Sequence, residues 1–100
     1  MATFVMLTRM HPQNGRAPET MERLESDAVD RIKRSCRDIE WLSNYAVGGP
    51  YEYLDIFSAP DTDEAMKVAS IIRMVGDADV ELWPAETWTR YKSLVREANA

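Results

Sequence analysis

The residues most able to do chemistry sit around Asp55, a carboxylate in the middle of the strand-like run Tyr51 to Ser58. Tyr51, Tyr53 and Phe57 lie at steps of two from it, which puts all four on one face of a strand. Burying a carboxylate among rings is costly unless it is hydrogen-bonded, paired or open to a cavity. Apolar walls with a few placed polar groups are also how small-ligand pockets are built. Glu52 falls on the opposite face from Asp55, so the two acids do not form the facing pair that glycoside hydrolysis uses. His11 is the only histidine and opens a loop, His11 to Pro18, that contains two prolines and Gly15. An unperturbed histidine titrates near neutrality, so Asp55 and His11 are the candidate catalytic residues. Each has a plainer reading, Asp55 as a hydrogen-bonded structural acid and His11 as a surface side chain.

Other reactive types carry less. No second histidine or cysteine pair accompanies His11, so no metal site is expected, and no cofactor. Cys36 ends an apolar helical stripe and reads as a packing thiol; Arg34 and Arg37 would activate it only if it were exposed. Gly48 and Gly49 read as turn residues rather than a phosphate cradle, since no helix and no lysine follow them.

The elements that position these residues follow from periodicity and breakers. Thr3 to Arg9 is rich in strand formers. Pro18 suits the first turn of a helix whose stripe is Met21, Leu24, Ala28, Ile32 and Cys36. The cations Arg31, Lys33, Arg34 and Arg37 suit that helix's negative end better than a binding patch. Glu40 to Val47 and Tyr51 to Ser58, joined by Gly48-Gly49-Pro50, form a hairpin. Asp61, with Glu64 three residues on, caps a helix carrying Ala65, Val68, Ala69, Ile72 and Val75, and Gly76 stops it. Ala78 to Trp83 is a fourth strand, closed by Pro84. A last helix from about Ala85 to Glu97 carries Trp88, Tyr91, Leu94 and Val95. The order is βαββαβ plus a C-terminal helix, the ferredoxin-like α+β arrangement with a four-stranded antiparallel sheet, in one domain spanning 1–100.

Alternation divides the strands into two sets. Val5, Leu7, Leu42, Ala46, Leu54, Ile56, Val80 and Leu82 are aliphatic and are expected under the two crossover helices. Phe4, Met6, Thr8, Trp41, Ser43, Tyr45, Val47, Tyr51, Tyr53, Asp55, Phe57, Glu81 and Trp83 are then expected on the open face. A large apolar face needs a cover, and a second copy of the chain is the commonest one, so a homodimer through the open sheet face is expected. Trp41, Tyr45, Tyr51, Tyr53 and Phe57 would wall a ligand pocket there, with Asp55 as its polar anchor.

At Gly49-Pro-Tyr-Glu52, the stretch Tyr45 to Asp61 resembles the core of the GYD domain family, named for a Gly-x-Tyr-Asp pattern at the start of the third strand. Gly49, Tyr51 and Glu52 stand at the motif positions, with Glu in place of Asp. The opening Thr3 to Arg9, the helix after Pro60-Asp61 and the ending Val80 to Trp88 are also similar, so the resemblance covers nearly the whole chain. It implies a ferredoxin-like fold of the dimeric α/β-barrel type and no particular reaction.

Composition then removes several function classes. In 100 residues there are nine aromatics, 45% hydrophobic residues and 29% charged ones, which is globular rather than disordered. No apolar run approaches the roughly 18 residues of a membrane span, no signal-peptide layout is present, and one cysteine fits a reducing cytoplasm. The net charge is −5, and residues 38–86 hold eleven acids against Lys67 and Arg73. RNA-recognition domains share this strand order and stack bases on sheet aromatics, but that acidity repels phosphates. The leading expectation is a small cytoplasmic protein binding an aromatic or apolar ligand. The alternatives are a cofactor-free monooxygenase or isomerase of the dimeric α/β-barrel kind, and a purely structural assembly module.

Overall fold

A computed structural model describes residues 1–11 and 17–100; the breakers Pro12 and Gly15 of the first loop lie outside the described residues. Strand β1 (Ala2–Met10) leads to helix α1 (Pro18–Ser35), then β2 (Glu40–Ala46), β3 (Tyr53–Ala59), α2 (Thr62–Gly76), β4 (Ala78–Ala85) and α3 (Trp88–Ala98). The four strands form one sheet in the order β2-β3-β1-β4, with every pairing antiparallel. This is the ferredoxin-like α+β fold with an added C-terminal helix.

Local chemistry sets most boundaries. Pro18 occupies the first turn of α1, where its missing N–H costs nothing. The Asp61 side chain accepts from the Glu64 N–H at 2.9 Å and starts α2. The last helix begins three residues later than its apolar spacing suggests, because the Thr87 hydroxyl accepts from the Arg90 N–H and fixes the N-cap there. β4 runs on through Pro84, which an edge strand tolerates. The left-handed residue that ends α2 is Asp77 (φ 48°) rather than Gly76. Gly76 serves close packing instead, since a Cβ there would meet the Met10 Cε at 3.3 Å.

Register corrects the assignment of the two sheet faces. Phe4 pairs with Phe57, Met6 with Asp55 and Leu82, and Thr8 with Tyr53 and Val80, so these residues share one face. Phe4, Met6, Phe57 and Val80 are buried in one cluster with Ile32 of α1 and Ala65, Val68 and Ala69 of α2. The aromatic set of β1 and β3 therefore lies under the helices, and Val5, Leu7, Leu54 and Ile56 lie on the open face. Val80 and Leu82 are on the helix side as expected, whereas Glu81 and Trp83 share the open face with the aliphatic set.

The physical reason is size matching. The stripe of α2 is built on alanines, so the helix sits close to the sheet and large rings fill the layer between them. Phe57 stacks on Phe4 at 5.8 Å between centroids and meets Trp41 at 5.2 Å. A β-bulge between Trp41 and Ser43 breaks the simple alternation of β2. Trp41 lies with Phe57 on the helix side, while Ser43 and Tyr45 are on the open face as expected, paired with Ile56 and Leu54, and Ala46 is on the helix side as expected, opposite Tyr53. Leu42, at the bulge, is exposed rather than under a helix.

Helix α1 approaches α2 with its backbone, but not the sheet. That stand-off leaves space between α1 and the β2–β3 half of the sheet.

Candidate functional site

The space under α1 is a cavity of about 540 Å³. Its floor is the helix side of the sheet, with Thr8 and Met10 from β1, Trp41, Asn44 and Ala46 from β2, and Tyr53 and Asp55 from β3, while Tyr45, registered on the open face, only borders it. Its roof is one face of α1, with Met21, Glu22, Leu24, Glu25, Ala28 and Val29, and its far wall is Ile72, Val75 and Gly76 of α2. The walls are thus mainly apolar.

Four of the six expected pocket residues, Trp41, Tyr45, Tyr53 and Asp55, line or border this cavity. The pocket itself lies on the opposite side of the sheet from the one expected. Phe57 is fully buried behind Trp41 and is core. Tyr51 precedes β3 in the connection from β2, and the Arg9 guanidinium lies over its ring at 5.8 Å.

Asp55 is the polar centre of the cavity. The Asn44 amide donates to its Oδ1 at 2.7 Å, which orients the carboxylate. Burial pushes the Asp55 pKa above its ordinary value and the Glu25 charge pushes the same way, while the Asn44 hydrogen bond works against them. Tyr53 is likewise raised, by burial first and then by the charges of Glu52 and Glu25. Glu22, Glu25 and Asp55 are the charged groups of the lining, and among the described residues no lysine or arginine joins them. The site can therefore accept hydrogen bonds, hold a proton on Asp55 more readily than an exposed aspartate would, and repel anions.

His11 does not meet Asp55. Its ring nitrogens lie 3.5 Å from an Asp77 carboxylate oxygen and 3.7 Å from one of Asp79, beside the Arg9–Asp79 ion pair of 2.9 Å. The two candidate catalytic residues thus belong to different places. Among the described residues no cluster of three or more His, Cys, Asp or Glu side chains could hold a metal ion. Cys36 caps the end of α1 partly buried against the core, and burial, aided by the Glu64 charge, raises its thiol pKa.

The motif residues act as a clasp. Gly49 takes φ +134°, which needs a residue without Cβ. The Val47 N–H donates to the Glu52 carbonyl at 2.8 Å, and the Glu52 N–H donates to the Thr8 carbonyl at 2.9 Å. The Glu52 carboxylate accepts from the Met10 N–H at 3.1 Å. Glu52 thereby ties the β2–β3 connection to the end of β1, where Thr8 and Met10 form part of the cavity floor.

Sequence reading alone missed Asn44, Glu22 and Glu25 as site residues. The helix stripe through Met21, Leu24 and Ala28 was a signal for the roof. Asn44 shows itself only through its register with Asp55, which the bulge sets.

The GYD domain family matches residues 4–95 of the chain. No curated protein sequence matches it.

Proposed function

The chain belongs to the GYD domain family, and on that premise we propose that it binds a small, largely apolar or aromatic molecule in the cavity beneath α1, as a homodimer joined through the open sheet face. The observation that carries the binding reading is the 540 Å³ cavity with a single oriented carboxylate at its floor. That volume lies within the range of small-molecule sites, about 300–1,000 Å³. Trp41, Met10, Leu24, Val29, Ile72 and Val75 supply apolar contact, and Asp55 supplies the directional one. With three carboxylates and no cation in the described lining, the ligand's polar end is a hydrogen-bond donor or a cation rather than an anion. The dimer reading rests on Val5, Leu7, Leu54, Ile56 and Trp83, an apolar set that neither crossover helix covers.

The test is binding of a matched pair of probes, tryptamine and indole-3-acetate, followed by calorimetry and thermal shift. Tryptamine is expected to bind and raise Tm, and Asp55→Asn to weaken it tenfold or more with the fold unchanged. Silence from a panel of aromatic amines, or equal binding of the carboxylates, overturns this reading.

The raised pKa of Asp55 favours one second reading, a cofactor-free enzyme in which Asp55 moves a proton on the bound molecule. Turnover that survives Asp55→Asn removes it.

A further inference from the structure

Helix α3 is the element whose backbone approaches no other among the described residues. Trp88, Tyr91, Leu94 and Val95 recur at three- and four-residue steps and so form one apolar stripe. They are 70%, 51%, 36% and 41% exposed. Trp88 and Tyr91 stack on each other at 5.8 Å, and none of the helix's residues is buried. Only Glu86 and Thr87 separate α3 from Ala85, so it starts at the sheet's edge strand, and the molecule reaches 53 Å in its longest dimension against 17 Å in its shortest. An isolated 11-residue helix is marginal in water and draws its stability from packing.

The same chain presents a second apolar surface that no helix covers, the open sheet face, on which Trp83 is exposed, Val5, Leu54 and Ile56 are half-buried and Leu7 is buried between its neighbours. Charge says that the two surfaces belong together. Residues 87–100 hold Arg90, Lys92 and Arg96 against Glu97 alone, whereas residues 38–86 hold eleven acids against two bases. Glu81 and Glu40 stand on the open face, where Asp79 is already paired with Arg9 at 2.9 Å.

We infer that α3 is an exchanged arm: the helix of each protomer packs its Trp88–Val95 stripe on the open sheet face of a second copy of the chain. The inference rests on the homodimer reading above and adds to it which element of each copy meets which. Basic amphipathic helices also bind anionic membranes. Here the acidic body would be repelled by the same anionic surface, which disfavours a lipid occupant against a second copy.

Complementation tests it on the full chain. Tyr91→Asp/Leu94→Asp spoils the arm, and because the α3 backbone approaches no other element among the described residues, the domain is expected to keep its circular dichroism. Ile56→Lys spoils the face, with Trp83→Lys as a second variant if the first does not fold. By sedimentation equilibrium at micromolar concentration the parent chain is expected to be a dimer and each variant a monomer. An equimolar mixture of the two variants is expected to regain a heterodimer, because one intact arm meets one intact face. A monomeric parent chain removes the dimer reading and the arm with it. An arm variant that still dimerises leaves the dimer but overturns the exchange. A face variant that dimerises alone, or a mixture that stays monomeric, also overturns it. So does a parent chain that binds phosphatidylserine–phosphatidylcholine vesicles through Tyr91 and Leu94.

Discussion

The two faces of the sheet divide its apolar residues between them but use different kinds of side chain. The helix-covered face is a layer of rings and thin helix stripes, in which Phe57 and Phe4 meet Ala65 and Ala69 with almost no exposure. The open face is aliphatic, with Leu54 and Ile56 only half-buried and Trp83 exposed. The difference teaches that ring size follows the thickness of the layer to be filled. Where a helix with alanines comes close, Phe fills the gap. Where α1 stands off, the same layer is left open as a cavity and polar groups enter it, as Asp55 and Asn44 do.

The strongest way to break that comparison is to exchange stability costs between the faces. Phe57→Ala should cost about 3–5 kcal/mol in urea unfolding, the range for buried rings. Ile56→Ala, one residue away on the open face, should cost about 1 kcal/mol and act mainly on self-association. Equal costs would mean that the faces are not distinct.

A middle-sized effect concerns how the helical layer is anchored. Glu64 is buried at the start of α2, where it accepts from the Arg37 N–H at 2.7 Å and pairs with Lys67 at 2.8 Å. The Lys67 hydrogen bond first, and then the Arg37 N–H, hold its carboxyl below the ordinary 4.5. A carboxyl whose pKa is lower when folded stabilises the fold above its unfolded pKa and loses that contribution as pH falls toward the folded value. Tm should therefore drop as pH falls below about 4.5, and Glu64→Gln should flatten that part of the profile while lowering Tm by several degrees at pH 7. An unchanged acid limb in the variant would assign acid sensitivity elsewhere.

The smallest effect sharpens the role of the motif acid at the cavity's end. Glu52→Ala should cost about 1 kcal/mol by leaving the Met10 N–H without its acceptor. Glu52→Gln keeps an acceptor oxygen and should cost clearly less. If the two variants melt alike, the clasp depends on the backbone bonds of Glu52 and not on its side chain.

Much of the chain could be read from local chemistry. Pro18 and Asp61 start helices where they stand, and the Gly48-Gly49 turn joins β2 to β3. The grouping of Tyr53, Asp55 and Phe57 on one side of β3 was also legible, because alternation is a local property of a strand. Which side that was could not be read. It depends on the helices, whose alanine stripes decide how thick a layer fits beneath them. The bulge at Leu42 was equally hidden, since one extra residue leaves composition untouched and separates Trp41, on the helix side, from Ser43 and Tyr45, which keep to the open face.

The sequence by itself determined the element order, the antiparallel ferredoxin-like topology and the identity of Asp55 as the carboxylate to watch, because caps, breakers and periodicity act within a few residues. Tertiary structure alone decided that the aromatic face lies inward, that Asp55 meets Asn44 and not His11, and that the α3 backbone approaches no other element among the described residues. Those outcomes depend on register and on how closely each helix approaches the sheet, and both are set by contacts between residues far apart in the chain.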